Sequence, residues 1–505
     1  MNITLIAANY DAGRYRKGEN LGIKALEAVI RSCGHRVYIY DRNFLDINDK
    51  ALIGLIENNG SRIVGFSVSF THQIYETIRL AKVLHNKLVD VHFTIGGQGV
   101  SFIIQKILED NIFFDSGICF EGEETFLELI QYLEGNRNIS DIKGLYYRIE
   151  EKVIFNGYRN PVDNLDQFPF MYREVIHKNI ESGHISLITS RGCMGNCLFC
   201  SSGYFSNKHH TSKRWRYRSA ENVIQEIEKI KENYDELAIS FVDDNFLGGL
   251  QEGYERAKSF AQKLLDKKIK IKWAIECRID DVEYELFELL RRAGLMNVFL
   301  GVESGNENDL KLFNKDISLS QIDKAINVLE ELELTYNIGF IMFHPLSTED
   351  QLIQNALFLK KYGQADSKNL LNELSLYHGS PLVKYYSSKN LICFDKYSIV
   401  YTYANYNVRQ ILKCANNLLN RFSNIETQLN SMLFIMQNKY GKLNKWNNYK
   451  RYLELKKLLS DFEADVFIEL CSASVNKNLN YEKLEAESNK FKETIKNEII
   501  LLQEE

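Results

Sequence analysis

Cys193, Cys197 and Cys200 stand in a C-x3-C-x2-C run within the stretch Thr189 to Tyr217. Thiolates at intervals of four and three residues can converge on one metal centre from a single loop, and cysteine is the usual protein ligand of iron–sulfur clusters. With three thiolates on offer, a four-iron cluster keeps one iron open to another ligand. The competing chemistry is a structural zinc loop closed by His209 or His210. Structural zinc sites are closed by four ligands at recognisable spacings. Three cysteines with Arg191-Gly192 before the first and Phe199 before the last therefore favour the cluster.

Such a loop needs a scaffold, and the chain around it supplies one. Strands are expected at Ile185–Ser190, Leu237–Val242, Ile271–Ile275, Asn297–Val302, Asn337–Phe343 and Leu371–Leu376. Helical spacing of apolar residues lies between them at Ala220–Glu232, Glu252–Leu265, Val282–Arg292, Ser320–Leu332 and Thr348–Tyr362. In barrels built this way chemistry gathers at the carboxyl ends of the strands. The cysteine loop follows the first strand. Later strands end in Asp243-Asp244-Asn245, in Glu276-Cys277-Arg278, in Gly301-Val302-Glu303-Ser304-Gly305 and in Phe343-His344-Pro345.

In order and spacing these ends are similar to the F-x-D-D-x-F, C/E-x-R, G-x-E-S-G and G-F-I-M-F-x-P patterns of the radical S-adenosylmethionine superfamily, which the cysteine run also resembles. The resemblance implies a [4Fe-4S] cluster whose open iron binds the amino and carboxylate groups of S-adenosylmethionine. An electron from the cluster, supplied by a donor such as flavodoxin or ferredoxin, then cleaves the cofactor to a 5′-deoxyadenosyl radical. It also implies cofactor contacts at Phe199, Asp243, Asp244, Glu276, Arg278 and Glu303. The ligand presents an ammonium, a carboxylate, ribose hydroxyls and a sulfonium, and Arg suits the carboxylate by bidentate hydrogen bonding. Glu276 and Glu303 are expected at the ribose or amino group and Arg278 at the carboxylate. The alternative for each is a barrel-end salt bridge. Asp243 and Asp244 could equally cap the following helix, and Cys277 reads as a packed thiol.

Upstream, strand candidates Ile3–Ala8, Arg36–Tyr40, Ile63–Val68, His92–Ile95 and Phe114–Cys119 alternate with helical patterns at Leu21–Ser32, Asp49–Asn58, Gln73–His85 and Phe102–Leu108. That alternation argues for a parallel sheet covered on both faces, with ligands at the carboxyl ends of its strands. Those ends carry Ser67-Val68-Ser69, Gly96-Gly97 and Glu121-Gly122-Glu123-Glu124. Ordinary turn glycines fit the same residues. The order of motifs looks like the cobalamin-binding domain that precedes many radical S-adenosylmethionine domains, which makes Ser67, Gly96, Gly97 and Glu121 cobalamin contacts by resemblance. The D-x-H-x-x-G motif that ligates cobalt in domains of the methionine-synthase type is absent, as it is in many cobalamin-dependent radical enzymes. His35, His72, His85 and His92 lack its context and read as surface or packed side chains.

Lys143–Arg148 and Lys152–Phe155 read as a hairpin, and Pro161 and Pro169 bracket an extended connection. His177 and His184 receive no role. The run Lys208–Arg218 is basic with two aromatics. It reads as a solvated face or as docking against the sheet, and nucleic acid is not expected. Past about Val383 glycine and proline nearly vanish, and helices are expected at Val408–Phe422, Ile425–Asn438, Trp446–Ser460, Ala464–Ser472 and Tyr481–Leu502. Trp446 and the patch Tyr397–Tyr406 line a substrate site or pack a core.

The fold class is thus α/β, arranged as a Rossmann-like cobalamin-binding-type domain over 1–140, a linker with hairpin over 141–180, a partial (β/α)6 barrel over 181–383 and a helical domain over 384–505. A chain of 505 residues with 45% hydrophobic and 26% charged residues has the size and composition for several cores. Its net charge of −5 makes no general case for nucleic acid. No apolar run is long enough to span a membrane, and the opening Met1-Asn2-Ile3-Thr4, without the charged and apolar regions of a signal peptide, sets the expectation of a chain with no such leader. The six cysteines outside the loop are scattered, which suits buried thiols in a reducing cytoplasm. The function that the resemblance implies is radical chemistry on a small-molecule or peptide substrate, with methylcobalamin delivering a methyl group to an unactivated carbon. Rearrangement, cyclisation, epimerisation or dehydrogenation is the alternative, and a non-catalytic iron–sulfur protein fits poorly with the strand-end carboxylates.

Overall fold

The computed structural model describes residues 1–8, 19–173, 184–203, 213–234, 237–440, 446–476 and 480–504. His177, His209, His210 and the first part of the basic run 208–218 lie outside them. Strands β1 (Asn2–Ala7), β2 (Arg36–Asp41), β3 (Ile63–Ser67), β4 (His92–Gly96) and β5 (Ser116–Ile118) form a parallel sheet ordered β2-β1-β3-β4-β5. Alternation along β1 divides the core in two. Ile3, Leu5 and Ala7 meet the helices Leu21–Ser32 and Glu123–Leu133. Ile6 and Ala8 turn the other way, against Asp49–Asn59, Ile74–His85 and Ile104–Asp110. The helix Glu123–Leu133 was not anticipated, although Phe126, Leu129 and Ile130 carry its spacing. The expected hairpin is present as β6 (Leu145–Ile149) and β7 (Lys152–Phe155). It extends this sheet, because β6 pairs antiparallel with β5.

The second sheet contains β8 (His184–Leu187), β11 (Ala238–Phe241), β12 (Lys272–Arg278), β13 (Leu295–Glu303) and β14 (Thr335–Phe340), all parallel in the order β14-β13-β12-β11-β8. The anticipated first strand splits. Beyond β8 the chain leaves the sheet, and β9 (Ser190–Gly192) pairs antiparallel with β10 (Trp215–Tyr217). The five anticipated helices cover the outer face at Ala220–Lys231, Gln251–Asp266, Tyr284–Arg292, Leu319–Glu331 and Glu349–Lys361. Ser219 caps the first, and capping boxes at Ser318 and Thr348 open the last two.

The sixth strand, expected at Leu371–Leu376, is reduced to a single bridge between Phe343 and Glu373. The Asn372 side chain donates to the Phe340 carbonyl, where a ladder amide would have done so. The Asn372 carbonyl then accepts from both Met342 and Phe343 at 3.0 Å.

After the barrel, Pro381 begins the helix Pro381–Ser388, a position where its missing N–H costs nothing. A hairpin, β15 (Ile392–Asp395) and β16 (Ser398–Tyr401), leads into the tyrosine-rich patch and was not anticipated. Helices Tyr406–Leu419, Ser423–Tyr440, Tyr449–Asn476 and Tyr481–Glu504 complete the chain. The two segments read at Trp446–Ser460 and Ala464–Ser472 belong to the single 28-residue helix Tyr449–Asn476. Among the described residues no helix is long and apolar enough to cross a membrane. Cys119, Cys277 and Cys471 are buried and Cys414 is half-buried, whereas Cys33 and Cys393 are exposed, contrary to the expectation for all six.

The hairpin reaches back to the N-terminal domain. Tyr397 is 1% exposed; its hydroxyl donates to Asp110 at 2.9 Å and accepts from Asn111 Nδ2 at 2.9 Å. Tyr75 donates to the Asp395 carbonyl at 2.8 Å. Tyr397→Phe removes one acceptor and one donor from a buried contact and should cost roughly 1–3 kcal/mol in urea unfolding. Amide hydrogen exchange should rise in β15 and β16.

Candidate active site

The cysteine loop is launched by a carboxylate. Asp243, 1% exposed, accepts from the amides of Thr189 at 2.6 Å and Ser190 at 2.9 Å, where β8 gives way to β9. Arg256 lies beneath, donating to Thr189 Oγ1 and to the Phe246 carbonyl at 2.9 Å, with Phe246's ring 4.9 Å from its guanidinium. Burial lowers the Arg256 pKa to about 10 and raises that of Asp243. The structure commits Asp243 to the backbone. Its neighbour Asp244 takes the exposed position, accepting from Gly192 N at 3.0 Å and Ser202 Oγ at 2.7 Å.

The loop is then tied down along its length. Gly195 N donates to Cys193 Sγ at 3.3 Å, and Leu198 N donates to the Phe313 carbonyl at 2.9 Å. The Leu198 carbonyl accepts from Ser380 Oγ at 2.7 Å. Phe199 packs edge-on against Phe313, ring centres 5.5 Å apart. Burial pushes the Cys193 thiol up, and burial with the nearby Asp244 pushes Cys200 up to about 11. Among the described residues no three His, Cys, Asp or Glu groups converge tightly enough for a single metal ion.

Opposite the loop, one face of β12 and β13 presents Glu276, Arg278 and Glu303. Arg278 has neighbours of its own: Asp280 at 2.8 Å, the Lys315 carbonyl at 3.1 Å and Cys197 Sγ at 3.7 Å. Glu303 sits at a β-bulge with φ +73°, a backbone region costly for a side-chain-bearing residue. It accepts from Lys315 Nζ at 2.8 Å. Burial would lower the Lys315 pKa, but the Glu303 carboxylate and Cys197 more than offset it and the net shift is upward. Glu276 has no such cation. Solvent reaches its side chain, yet the enclosing protein first, then Asp244 and Asp243, raise its pKa to about 7. Lys315 was missed by sequence reasoning; it follows the turn after the short helix Glu307–Leu312, twelve positions beyond Glu303.

The carboxyl ends of the N-terminal sheet face the same loop across a cavity of about 270 Å³. Gly22, Gly65, Ser67, Gly96 and Gly97 line one side, and Gly192, Ser202 and Asp244 line the other. Gly97, at φ +106°, lies so close to Val68 that a Cβ would stand 2.5 Å from its carbonyl oxygen. Among the described residues no histidine lines the cavity. His92 bonds Ser116 Oγ at 2.8 Å, His85 packs on Phe93 and Phe113, and His72 stacks on Phe70.

Glu121 also lines the cavity, but its carboxylate is held by protein. It pairs with Arg216 and, at 3.1 Å, with Arg191, while Glu123 pairs with Arg191 at 2.5 Å. Burial raises the Glu121 pKa, and the two arginines more than reverse it, leaving it below the usual carboxylate range. Arg191 and Glu123 stood within stretches singled out in the sequence, but these pairings were not anticipated.

Comparison with known proteins agrees with this geometry. Residues 187–359 match the radical SAM superfamily and residues 12–130 match the B12 binding domain. The chain belongs to the radical S-adenosylmethionine superfamily, in the cobalamin-dependent subgroup with an N-terminal B12-binding domain. An uncharacterized methyltransferase of Pyrococcus horikoshii is 27% identical over 348 residues, 68% of this chain and 73% of that one. The hopanoid C-3 methylase of Methylococcus capsulatus is 27% identical over 64% of this chain and 61% of its own. The anaerobic magnesium-protoporphyrin IX monomethyl ester cyclase of Rubrivivax gelatinosus is 23% identical over 68% and 62%. The cobalamin-dependent radical enzyme OxsB shares the fold at a TM-score of 0.76 and 19% identity, covering 99% of this chain and 78% of that one.

This radical S-adenosylmethionine enzyme uses a [4Fe-4S] cluster, S-adenosylmethionine and cobalamin. The residues present fit that set. Three thiols on one loop, two of them (Cys193 and Cys200) raised by burial, are donors that a cationic centre deprotonates, and the glycine-lined cavity opens onto the loop. The Glu121 pairing predicts a pH dependence. A folded pKa below the unfolded value near ~4.3 means that its stabilisation is present above that value and is lost as pH falls through the folded one. Glu121→Gln leaves Arg216 without its carboxylate and Arg191 with Glu123 alone, and should cost roughly 3–5 kcal/mol at neutral pH. In urea titrations its difference from the unaltered enzyme should shrink as pH falls below about 4.

Proposed function

We propose that this enzyme methylates an unactivated carbon of a small-molecule or peptide substrate. The observation that carries the reading is the single cavity shared by the ends of the N-terminal strands and the residues flanking the cysteine loop. When bound, the cluster with S-adenosylmethionine supplies a 5′-deoxyadenosyl radical, and the corrinoid supplies the methyl group. On this reading Cys193, Cys197 and Cys200 hold the cluster. Ser67, Gly96 and Gly97 leave room at the sheet for the corrinoid, and Asp244, Glu276 and Glu303 face S-adenosylmethionine. Arg278, close to the Cys197 sulfur, balances negative charge at the loop. The methyltransferase and methylase relatives support methyl transfer. The cyclase relative supports a second reading, in which the radical rearranges or cyclises its substrate and no methyl group moves.

Three measurements test this. Anaerobically reconstituted enzyme should release 5′-deoxyadenosine, and replacing Cys193, Cys197 and Cys200 together with Ala should abolish it. Persistent cleavage would overturn the cluster assignment. With hydroxocobalamin and methyl-deuterated S-adenosylmethionine, the label should reach the product; an unlabelled product selects the second reading.

Glu276 adds a pH signature. A carboxyl with a pKa of about 7 must lose its proton before it can complement the positive charge that S-adenosylmethionine carries. Affinity should therefore tighten as pH rises through about 7, and Glu276→Gln should flatten that profile in equilibrium dialysis.

A further inference from the structure

A buried polar cluster, none of whose members has been given a role above, centres on Asp309. Asp309 and His344 are each 1% exposed. Asp309 Oδ1 accepts from Gln351 Nε2 at 2.8 Å and from His344 Nε2 at 3.2 Å. Its Oδ2 accepts from Ser304 Oγ at 2.9 Å and Asn355 Nδ2 at 3.2 Å. The histidine is oriented from its other side, because Leu346 N donates to Nδ1 at 3.3 Å, leaving the ring hydrogen on the nitrogen that faces Asp309. Four donors thus converge on one carboxylate from three elements. They come from the turn after β13, the turn after β14 and the helix Glu349–Lys361.

The same short helix that carries Asp309, Glu307–Leu312, runs directly into the cysteine loop's supports. Phe313 takes the Leu198 amide at 2.9 Å, and Asn314 Nδ2 donates to the Asn196 carbonyl at 3.0 Å. Lys315 pairs with Glu303 at 2.8 Å. The Phe313 ring stands edge-on to His344 at 5.5 Å and to Phe199, the residue before Cys200, also at 5.5 Å. On the other side, Ser304 follows Glu303 immediately, so the hydroxyl on Asp309 fixes the residue next to the φ +73° bulge.

We propose that Asp309, oriented by His344, is a positioning residue that holds the Glu303 bulge and the cysteine loop in one frame. The inference rests on the reading that Glu303 and the loop together receive S-adenosylmethionine. A carboxylate suits the task because all four neighbours donate; a carboxamide would point an N–H at two of them.

The test uses full-length reconstituted enzyme. Asp309→Asn should keep its iron content and far-ultraviolet circular dichroism. Its Kd for S-adenosylmethionine should rise roughly 10- to 100-fold, the range for partners that orient a ligating shell. The shift that S-adenosylmethionine causes in the electron paramagnetic resonance of the reduced cluster should weaken in parallel. His344→Gln keeps an amide donor toward Asp309 and should stay close to the unaltered enzyme, a rescue that mere loss of packing would not give. Where Asp309→Asn fails to fold, the double variant Asp309→Val with His344→Leu replaces the pair by apolar volume, an exchange buried pairs often tolerate, and should show the same weakened binding. Unaltered Kd and spectrum in either folded variant overturn the proposal. Failure of both to fold overturns it equally, by making Asp309 a stability residue. If the unaltered enzyme itself shows no spectral response to S-adenosylmethionine, the site reading fails and this inference with it.

Discussion

Two arginines beside the cysteine loop, Arg191 and Arg216, meet Glu121 and Glu123 at the end of the N-terminal sheet, and both domains depend on that meeting. Arg216 is 4% exposed and the Glu123 carboxylate 8%, so neither charge has water to fall back on. Ion pairs at such depth add little net stability but are costly to break, because each leaves its partner unsatisfied. Here the geometric effect matters most. The pairs bring the ends of β3, β4 and β5 over the loop that β8 launches, and the cavity between the two sheets takes its shape from that contact. Arg191 stands two residues before Cys193, so a shift of either domain is felt at the first thiol.

Charge within the mouth is arranged unevenly. Glu303 has a hydrogen-bonded cation in Lys315, whereas burial, Asp244 and Asp243 outweigh the weaker pull of Lys368 on Glu276 and leave its pKa near neutrality. Lone negative groups facing an open space are costly without a bound cation. The mouth therefore favours a ligand that brings positive charge. The cysteine loop leans the other way, with Arg278 against the Cys197 sulfur. A ligand that is cationic at one end and anionic at the other is complementary to both.

Much of this architecture is legible in the sequence, for a specific reason. Sheets buried on both faces leave continuous apolar strands flanked by helical periodicity, so β1 to β4 and β11 to β14 follow from pattern alone. The loop follows from three cysteines at unusual spacing. What escaped lacked a local signature. Leu371–Leu376 has the apolar content of a strand, yet a single amide side chain, Asn372, interrupts its ladder. The β15–β16 hairpin is defined by contacts with helices nearly three hundred positions earlier. Glu121 and Arg216 lie 95 positions apart, and no composition says which acid a given arginine will find. Asp243 looked like a ligand and is a backbone anchor, because the chain's departure from the sheet at Thr189 leaves two amides with no strand to accept them.

The contact that Tyr397 makes has a topological consequence. The N-terminal domain is gripped on one side by Arg191 and Arg216, and on the other by the β15–β16 hairpin through Asp110 and Asn111. Beside the hairpin, Gly379 abuts the Phe102 ring so closely that a Cβ would stand 2.6 Å from it. The N-terminal domain is therefore fastened to the rest of the chain at two separate places, and parting it from the barrel would break both sets of contacts at once.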